Sequence, residues 1–165
     1  MIEQQLQSPQ QDWYFKGSSS GDLYTHGELY QYGFSFLLHH ADEGGYTNTQ
    51  LSILMRPFLA QLQSLVEKEL VRARCDMTVG NGVEVLHPPH VDLFGEDHTT
   101  AIYYVSDSDG DTVVYNETEA SDEYTVMKTI SPKKNRLCVF DGSHYHTGHS
   151  PMKHKNRILI NANFI

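Results

Sequence analysis

Short runs in which apolar and polar residues alternate dominate the chain from about residue 70 onward. The runs are rich in β-branched and aromatic residues and read VRARCDMTV, GVEVLH, TTAIYYV, DTVVYNE, EYTVMKTI, RLCVF and RILINANF. Tight-turn signals such as Asn81-Gly82 and Asp109-Gly110 lie between them. A period of two is typical of half-buried strands, and many short strands at close spacing indicate a mainly β sandwich or barrel rather than a parallel α/β sheet.

A helical pattern precedes these strands between residues 47 and 70. Apolar residues recur there at spacings of three and four, which is typical of an amphipathic helix packed on a sheet. Thr47, Asn48 or Thr49 can cap this helix, and Pro57 either kinks it or lies in the first turn of a second helix. We therefore expect one or two supporting helices N-terminal to the core strands.

The first 22 residues are rich in Gln, Ser and Gly, a composition that buries little surface and predicts a mobile arm. The aromatic triplet Trp13-Tyr14-Phe15 is expected either to fold back onto the body or to cover a site. No basic region followed by an apolar core opens the chain, so we expect a soluble, cytoplasmic protein. Its 165 residues are expected to form one domain over 1–165, with the core strands in 70–165.

The chain is acidic, with 12 Lys and Arg residues against 21 Asp and Glu residues and a net charge of -9. This balance disfavours nucleic acid and anionic membranes as partners and leaves a peptide, a protein or a small molecule as the expected substrate. The oligomeric state stays open. Cys75 and Cys138 lie in apolar runs without CxxC spacing, and we expect buried free thiols.

Histidine is the feature of the composition that points to chemistry, because most of its 10 copies fall between residues 87 and 154. His90 and Asp92 are two positions apart, so on a strand both side chains project to one face. A later segment, FDGSHYHTGH, offers His144, His146 and His149. Two histidines and one carboxylate from two strands form the facial triad of non-haem Fe(II), which leaves coordination positions open. A tetrahedral structural zinc site would close its shell with cysteine or a further histidine, whereas this triad leaves positions open.

An ordered set of motifs over about residues 70–165 resembles the Fe(II)/2-oxoglutarate-dependent oxygenase superfamily. The similarity is to its prolyl-4-hydroxylase-like branch, including the short versions found in phage and bacteria. That family folds as a double-stranded β-helix, or jelly roll, in agreement with the strand pattern. The motifs are His90-Val91-Asp92, Ala101-Ile102-Tyr103-Tyr104-Val105, Asp109-Gly110-Asp111-Thr112, Phe140-Asp141-Gly142, Tyr145-His146-Thr147-Gly148 and Arg157.

The resemblance implies a role for each matching residue. His90, Asp92 and His146 would be the catalytic metal ligands, with His144 and His149 as alternatives to His146. Arg157 would bind the distal carboxylate of 2-oxoglutarate, since a guanidinium presents a planar fork that matches a carboxylate.

Three further residues are candidates for the same site. Tyr104 would hydrogen-bond the carboxylate held by Arg157, with the adjacent Tyr103 as the alternative on the opposite face of its strand. Asn161 shares the alternating face of Arg157 and is expected to line the pocket.

Fe(II), 2-oxoglutarate and O2 are the cofactor and co-substrates that the resemblance implies, and ascorbate stays open as an addition. The implied reaction is hydroxylation of an unactivated C–H bond with release of succinate and CO2, and a prolyl residue in a peptide or protein is the leading substrate. The alternative is a non-catalytic, cupin-like metal-binding or structural jelly-roll module.

Three segments are candidates for substrate selection: a hairpin over Asp76–His87, the aromatic triplet at 13–15, and the acidic stretch Glu117–Glu123. Histidines outside the ligand set are expected near the entrance or on the surface. His87 is expected at the mouth of the site and His98 at the surface or facing substrate. No functional role is expected for His26, His39, His40 and His154.

Overall fold

Two antiparallel β-sheets form the framework of the protein in the computed structural model, which describes residues 2–16, 33–47, 49–80 and 82–165. The larger sheet has the order β1-β2-β4-β10-β5-β8, with β3 paired to β2, and the smaller has the order β7-β6-β9. The mainly β prediction with N-terminal helices is confirmed. The elements are α1 (Ile2–Leu6), β1 (Tyr14–Lys16), β2 (Gly33–His40), a 3-10 turn (Ala41–Glu43), β3 (Gly45–Tyr46), α2 (Gln50–Val66), β4 (Leu70–Val79), β5 (Thr99–Tyr104), β6 (Thr112–Tyr115), β7 (Val126–Ile130), β8 (Leu137–Asp141), β9 (His146–Gly148) and β10 (Asn156–Phe164).

The side chains of strand β10 alternate between the two faces of the larger sheet. Successive side chains of a strand point to opposite faces, and the even-numbered residues of β10 from Ile158 to Phe164 enter the apolar core with α2. The odd-numbered residues are directed to the other face, where Arg157, Leu159 and Asn161 line a cavity. This face carries Arg157, Leu159, Asn161 and Asn163.

Helix α2 covers the core face of the sheet. It is shorter than the predicted 47–70, and Thr49 caps it by accepting a hydrogen bond from the Ser52 amide at 3.1 Å. Pro57 lies inside this one helix rather than starting a second, and Asn48 is outside the described residues. The buried side of the helix carries Leu51, Met55, Leu59 and Leu62, and complete burial of each such side chain contributes about 1.5–3 kcal/mol.

The N-terminal region contributes more to the sheet than the sequence predicted. Strand β2, from Gly33 to His40, lies between β1 and β4, so the sheet does not begin at residue 70. Residues 2–16 also differ from a mobile arm, because Leu6 is buried and Trp13 packs edge-on against Phe36 with ring centroids 5.0 Å apart. The remainder of the predicted arm, residues 17–22, is outside the described residues.

All but one of the runs predicted as strands overlap a strand of the structure. The exception is GVEVLH, which holds only an isolated bridge between Leu86 and His149. Both edges of β4 are already paired, with β2 and with β10, so no edge remains for a hairpin across Asp76–His87. Asn81, of the predicted turn there, is outside the described residues.

The Asp109-Gly110 signal marks a loop rather than a tight hairpin turn. The Asp109 carboxylate accepts hydrogen bonds from the backbone amides of Met152, Lys153 and His154. It therefore fixes the segment that leads into β10 instead of reversing the chain between two paired strands. Across the described residues, no helix has the length and apolar character to cross a membrane.

Candidate metal centre and co-substrate pocket

His90, Asp92 and His146 form a compact cluster of potential metal ligands. One ligand atom from each lies within 4.8 Å of the other two. The backbone builds this arrangement, because His90 and His146 face each other in an antiparallel bridge with N···O distances of 3.0 and 2.9 Å. Opposed residues of such a bridge project their side chains to the same face, and the two imidazole centroids are 4.7 Å apart.

Backbone carbonyls select the tautomer of both histidines. Nδ1 of His90 lies 3.2 Å from the Pro88 carbonyl oxygen, and Nδ1 of His146 lies 3.2 Å from the His144 carbonyl oxygen. A carbonyl only accepts, so each Nδ1 carries the proton and donates, which leaves the Nε2 lone pair for a metal. Nε2 of His146 is buried without a hydrogen-bond partner and lies 3.4 Å from Oδ2 of Asp92.

This donor set fits a divalent cation. Two imidazole nitrogens and a carboxylate oxygen, with no thiolate, make the 2-His-1-carboxylate set that binds non-haem Fe(II). Burial, followed by the neighbouring His146, lowers the pKa of His90 to about 4. His90 is therefore neutral at pH 7, as a metal ligand must be.

Arginine and asparagine side chains from β4 and β10 hold the Asp92 carboxylate in place, and its exposed fraction is 1%. Arg72 and Arg74 of β4 approach Oδ1 at 3.3 and 3.2 Å. Asn161 and Asn163 of β10 donate to Oδ2 at 2.9 and 3.1 Å. Burial alone would raise the pKa of Asp92, but the His146 contact and the Arg74 guanidinium outweigh it and hold that pKa well below its usual range.

His144 and His149, the alternatives for the distal ligand, lie outside this cluster. Among the described residues, the only group of three or more potential ligand side chains is the one containing His146. Nδ1 of His149 is directed to the Asp111 carbonyl oxygen at 3.4 Å. His144 lies in the turn that precedes β9, and its Nδ1 is buried without a hydrogen-bond partner.

A single cavity connects the ligand cluster to Arg157. His90 and His146 line one part of it, and Thr147, Gly148 and Arg157 line another. Arg157 is 7% exposed, and within the described part of the chain no carboxylate oxygen lies within 4 Å of its guanidinium. A buried cation without a counter-ion is costly, so the cavity is suited to an anionic ligand.

Thr112 positions the guanidinium of Arg157. Its hydroxyl oxygen accepts hydrogen bonds from Nη2 of Arg157 at 2.5 Å and from the Tyr104 hydroxyl at 2.6 Å. Tyr104 is fully buried on the cavity face of β5. Tyr103 lies on the opposite face, where its ring packs on Phe58 of α2 at 4.7 Å. Of the two tyrosines, only Tyr104 is on the side of Arg157.

Two glycines allow the backbone to enclose Arg157. A Cβ at Gly148 would lie 3.1 Å from Nη1 and 3.2 Å from Nη2 of Arg157. A Cβ at Gly110 would overlap the His149 carbonyl oxygen and lie 3.1 Å from Cδ of Arg157. A residue with a side chain at either position would displace the guanidinium or the backbone around it.

His87 and His98 are more deeply buried than the sequence predicted. His87 lines the cavity, and its Nε2 lies 3.1 Å from the Ser150 hydroxyl. Burial, followed by the nearby Arg157 charge, lowers the pKa of His87 to about 4. His98 is neither at the surface nor in the cavity lining, because its ring packs directly on Gly142. His26 is outside the described residues.

The segments predicted to select substrate contribute unequally. Asp76 and Thr78 of β4 line the cavity together with His87. Trp13 packs into the core, whereas Tyr14 and Phe15 are exposed and the adjacent Lys16 lines the cavity. The acidic stretch Glu117–Glu123 does not line this cavity.

Three residues of the site were absent from the sequence prediction, namely Arg72, Arg74 and Asn163, and Thr112 was present in a matching motif without an assigned role. A signal for the arginines was present, since Arg72, Arg74 and Asp76 alternate with apolar residues along a strand predicted to be half-buried. Charged residues at period two on such a strand indicate a polar inner face. Thr112 carries no comparable signal.

Solved structures with the same fold are oxygenases and related enzymes at low sequence identity. A 2OG-Fe(II) oxygenase family oxidoreductase from Burkholderia pseudomallei superposes with a TM-score of 0.63 at 11% identity, over 94% of this chain and 74% of that one. A Trichoplax adhaerens prolyl hydroxylase, in complex with a hypoxia inducible factor peptide, gives 0.57 and 13% over 81% and 62% of the two chains. The α-ketoglutarate-dependent epimerase SnoN from nogalamycin biosynthesis gives 0.59 and 14% over 99% and 70%. No curated protein sequence matches significantly.

A jelly-roll fold with a His-Asp-His cluster beside a buried arginine is the arrangement of a non-haem iron oxygenase. The family model of the 2OG-Fe(II) oxygenase superfamily matches residues 79–165, more than half of the chain. The protein belongs to this superfamily, and the sequence-based resemblance is confirmed. Fe(II), 2-oxoglutarate and O2 follow as the cofactor and co-substrates of the family.

Proposed function

We propose that the protein is a hydroxylase in which His90, Asp92 and His146 hold Fe(II) and Arg157 binds the distal carboxylate of 2-oxoglutarate. The observation that carries this proposal is the shared cavity, which has the two histidines in one part and a buried arginine without a carboxylate partner in another. In a cupin-like binding module that arginine would bind no anion, and burial of its unpaired charge would only destabilise the fold.

The residues around the cavity have distinct tasks in this proposal. The Nδ1–H groups of His90 and His146 orient the two imidazoles before the metal binds. The arginine and asparagine side chains that contact Asp92 orient its carboxylate in the same way. Thr112 and Tyr104 hold the Arg157 fork in the plane that a carboxylate needs. Ile102 and Leu159 line the cavity between polar groups and limit the access of water. Fe(II) bound there would activate O2, with conversion of 2-oxoglutarate to succinate and CO2.

A prolyl residue in a peptide or protein is the substrate that we propose within this class. The support is the fold shared with the Trichoplax adhaerens prolyl hydroxylase, which was solved with a peptide. The epimerase SnoN shares the same fold, so the fold by itself does not select hydroxylation or a peptide. The reaction type must therefore be tested by analysis of the product.

Anaerobic addition of Fe(II) and 2-oxoglutarate to the purified protein tests the proposal directly. We expect a weak visible charge-transfer band from the chelate, and Arg157→Met should raise the concentration of 2-oxoglutarate needed to form it. Folded protein with excess iron that gives no band would refute the oxygenase proposal. With O2 and a proline-containing peptide, mass spectrometry should detect one added oxygen atom and an equal amount of succinate. Turnover with a peptide product of unchanged mass would refute hydroxylation.

A further inference from the structure

Lys16 and Arg157 lie in one cross-strand row of the larger sheet. The register pairs Lys16 with Gly33, Gly33 with Thr78, and Thr78 with Arg157. Directly opposed residues of antiparallel strands project to the same face, so the two cations share the face that bears the cavity. Three strand spacings separate their Cα atoms by about 14 Å. Lys16 and Arg157 therefore enter the same cavity from opposite ends of this row.

The residue opposite Lys16 in this row leaves room for the lysine side chain. Gly33 has no side chain, and an added Cβ there would lie 2.8 Å from the Met77 carbonyl oxygen. Lys16 is half-buried and lines the same cavity as His90 and His146. Burial, followed by the Arg74 guanidinium, lowers the pKa of the Lys16 ammonium group.

The other charges of the cavity are either paired within the protein or assigned to the co-substrate. Arg74 contacts Asp76 at 2.7 Å and Asp92 at 3.2 Å, so its charge is used within the protein. Arg157 is assigned to the co-substrate by the proposed function. For Lys16, no carboxylate of the described residues lies within 4 Å of its nitrogen.

We propose that Lys16 binds a carboxylate of the primary substrate, which makes the substrate class an acyl compound or peptide with a free carboxylate. This inference rests on the proposed function, because it takes Arg157 to be occupied by 2-oxoglutarate. One ammonium group suits one singly charged carboxylate, and the nearby Asp76 opposes a more highly charged anion such as a phosphate. Although the chain is acidic overall, Lys16 thus provides a local cationic site for an acidic substrate.

Matched acids and amides test this assignment even while the natural substrate is unidentified. The probes are a panel of N-acetyl amino acids, proline included, each as the free acid and as the carboxamide. Calorimetry measures their binding to the anaerobic complex of the protein with Fe(II) and 2-oxoglutarate. At least one acid should bind about tenfold or more tightly than its amide, as expected for a charge-assisted hydrogen bond. A panel in which no acid binds better than its amide overturns the inference.

Variants of Lys16 assign the preference to its ammonium group. Lys16→Met should remove the preference for the acid, and Lys16→Arg should retain most of it. Lys128→Met is the matched control, because Lys128 is exposed on β7 and away from the cavity, and it should bind the acid like the unmodified protein. An acid preference that survives in a folded Lys16→Met variant would place the carboxylate elsewhere.

The same samples separate this inference from the proposed function. The charge-transfer band of the unmodified protein is recorded before any probe is added. A band without an acid preference rejects the role of Lys16 and leaves the hydroxylase proposal in place. Absence of the band rejects the hydroxylase proposal itself.

Discussion

Replacement of Gly148 by alanine should weaken 2-oxoglutarate binding while leaving the metal ligands in place. The new Cβ would lie 3.1, 3.2 and 3.3 Å from Nη1, Nη2 and Cζ of Arg157. Contacts this short force the guanidinium to move by a few tenths of an ångström, which disturbs its hydrogen bond to Thr112. Complete loss of a hydrogen bond to a charged group costs about 1.5–3 kcal/mol, so its partial loss should lower the affinity for 2-oxoglutarate by up to about tenfold.

The assay is an anaerobic titration with 2-oxoglutarate, followed by the charge-transfer band in the presence of saturating Fe(II). The control is a double-mutant cycle with Arg157→Lys, because the smaller head group of lysine removes the contact with the new methyl group. Gly148→Ala should then have little additional effect. The reasoning is refuted by unchanged affinity in the single variant, or by an equal loss in the Arg157→Lys background.

Further predictions concern the distal metal ligand, the Thr112 hydroxyl beside Arg157, and the loop that Asp109 holds. His146→Ala should abolish the charge-transfer band, whereas His144→Ala should keep it; the reverse result would transfer the ligand role to His144. Thr112→Val should weaken 2-oxoglutarate binding about tenfold in the same titration, since a hydrogen-bond partner of the arginine is lost, and unchanged affinity would argue against this role. Amide donors and His154 hold the pKa of Asp109 at about 2, so its stabilising effect is complete above the ordinary carboxylate pKa near 4 and disappears as pH falls through about 2. Asp109→Asn should therefore lower the melting temperature at pH 7, with a smaller difference towards pH 2, and a pH-independent difference would contradict the linkage.

The alternation of strand residues made much of the site predictable from sequence. The two-residue spacing of His90 and Asp92 predicted a shared direction, and the alternation along RILINANF predicted Arg157 and Asn161 on one face. These predictions succeed because the backbone geometry of a strand is local. The choice among His144, His146 and His149 is not local, because it depends on which residue is bridged to His90 from a distant segment.

The parts that sequence reasoning missed depend on long-range pairing. GFSFLLHH has the composition of a strand, but only its place between β1 and β4 makes it part of the sheet. GVEVLH has a similar alternation and remains irregular, because both edges of β4 are already paired. Propensity therefore identifies candidate strands, and competition for sheet edges decides which of them form.

The pairing of β4 with β10 also sets when the protein can acquire its metal. These strands join residues 70–79 to residues 156–164, and the enclosed loop contains β5 to β9. Non-local contacts of this kind form late, because closing a long loop costs entropy before the contacts stabilise it. Asp92 has its supporting donors only after both strands are in register, since Arg72 and Arg74 come from one strand and Asn161 and Asn163 from the other. High-affinity iron binding thus reports completed folding, and metal uptake during refolding should follow formation of this strand pair.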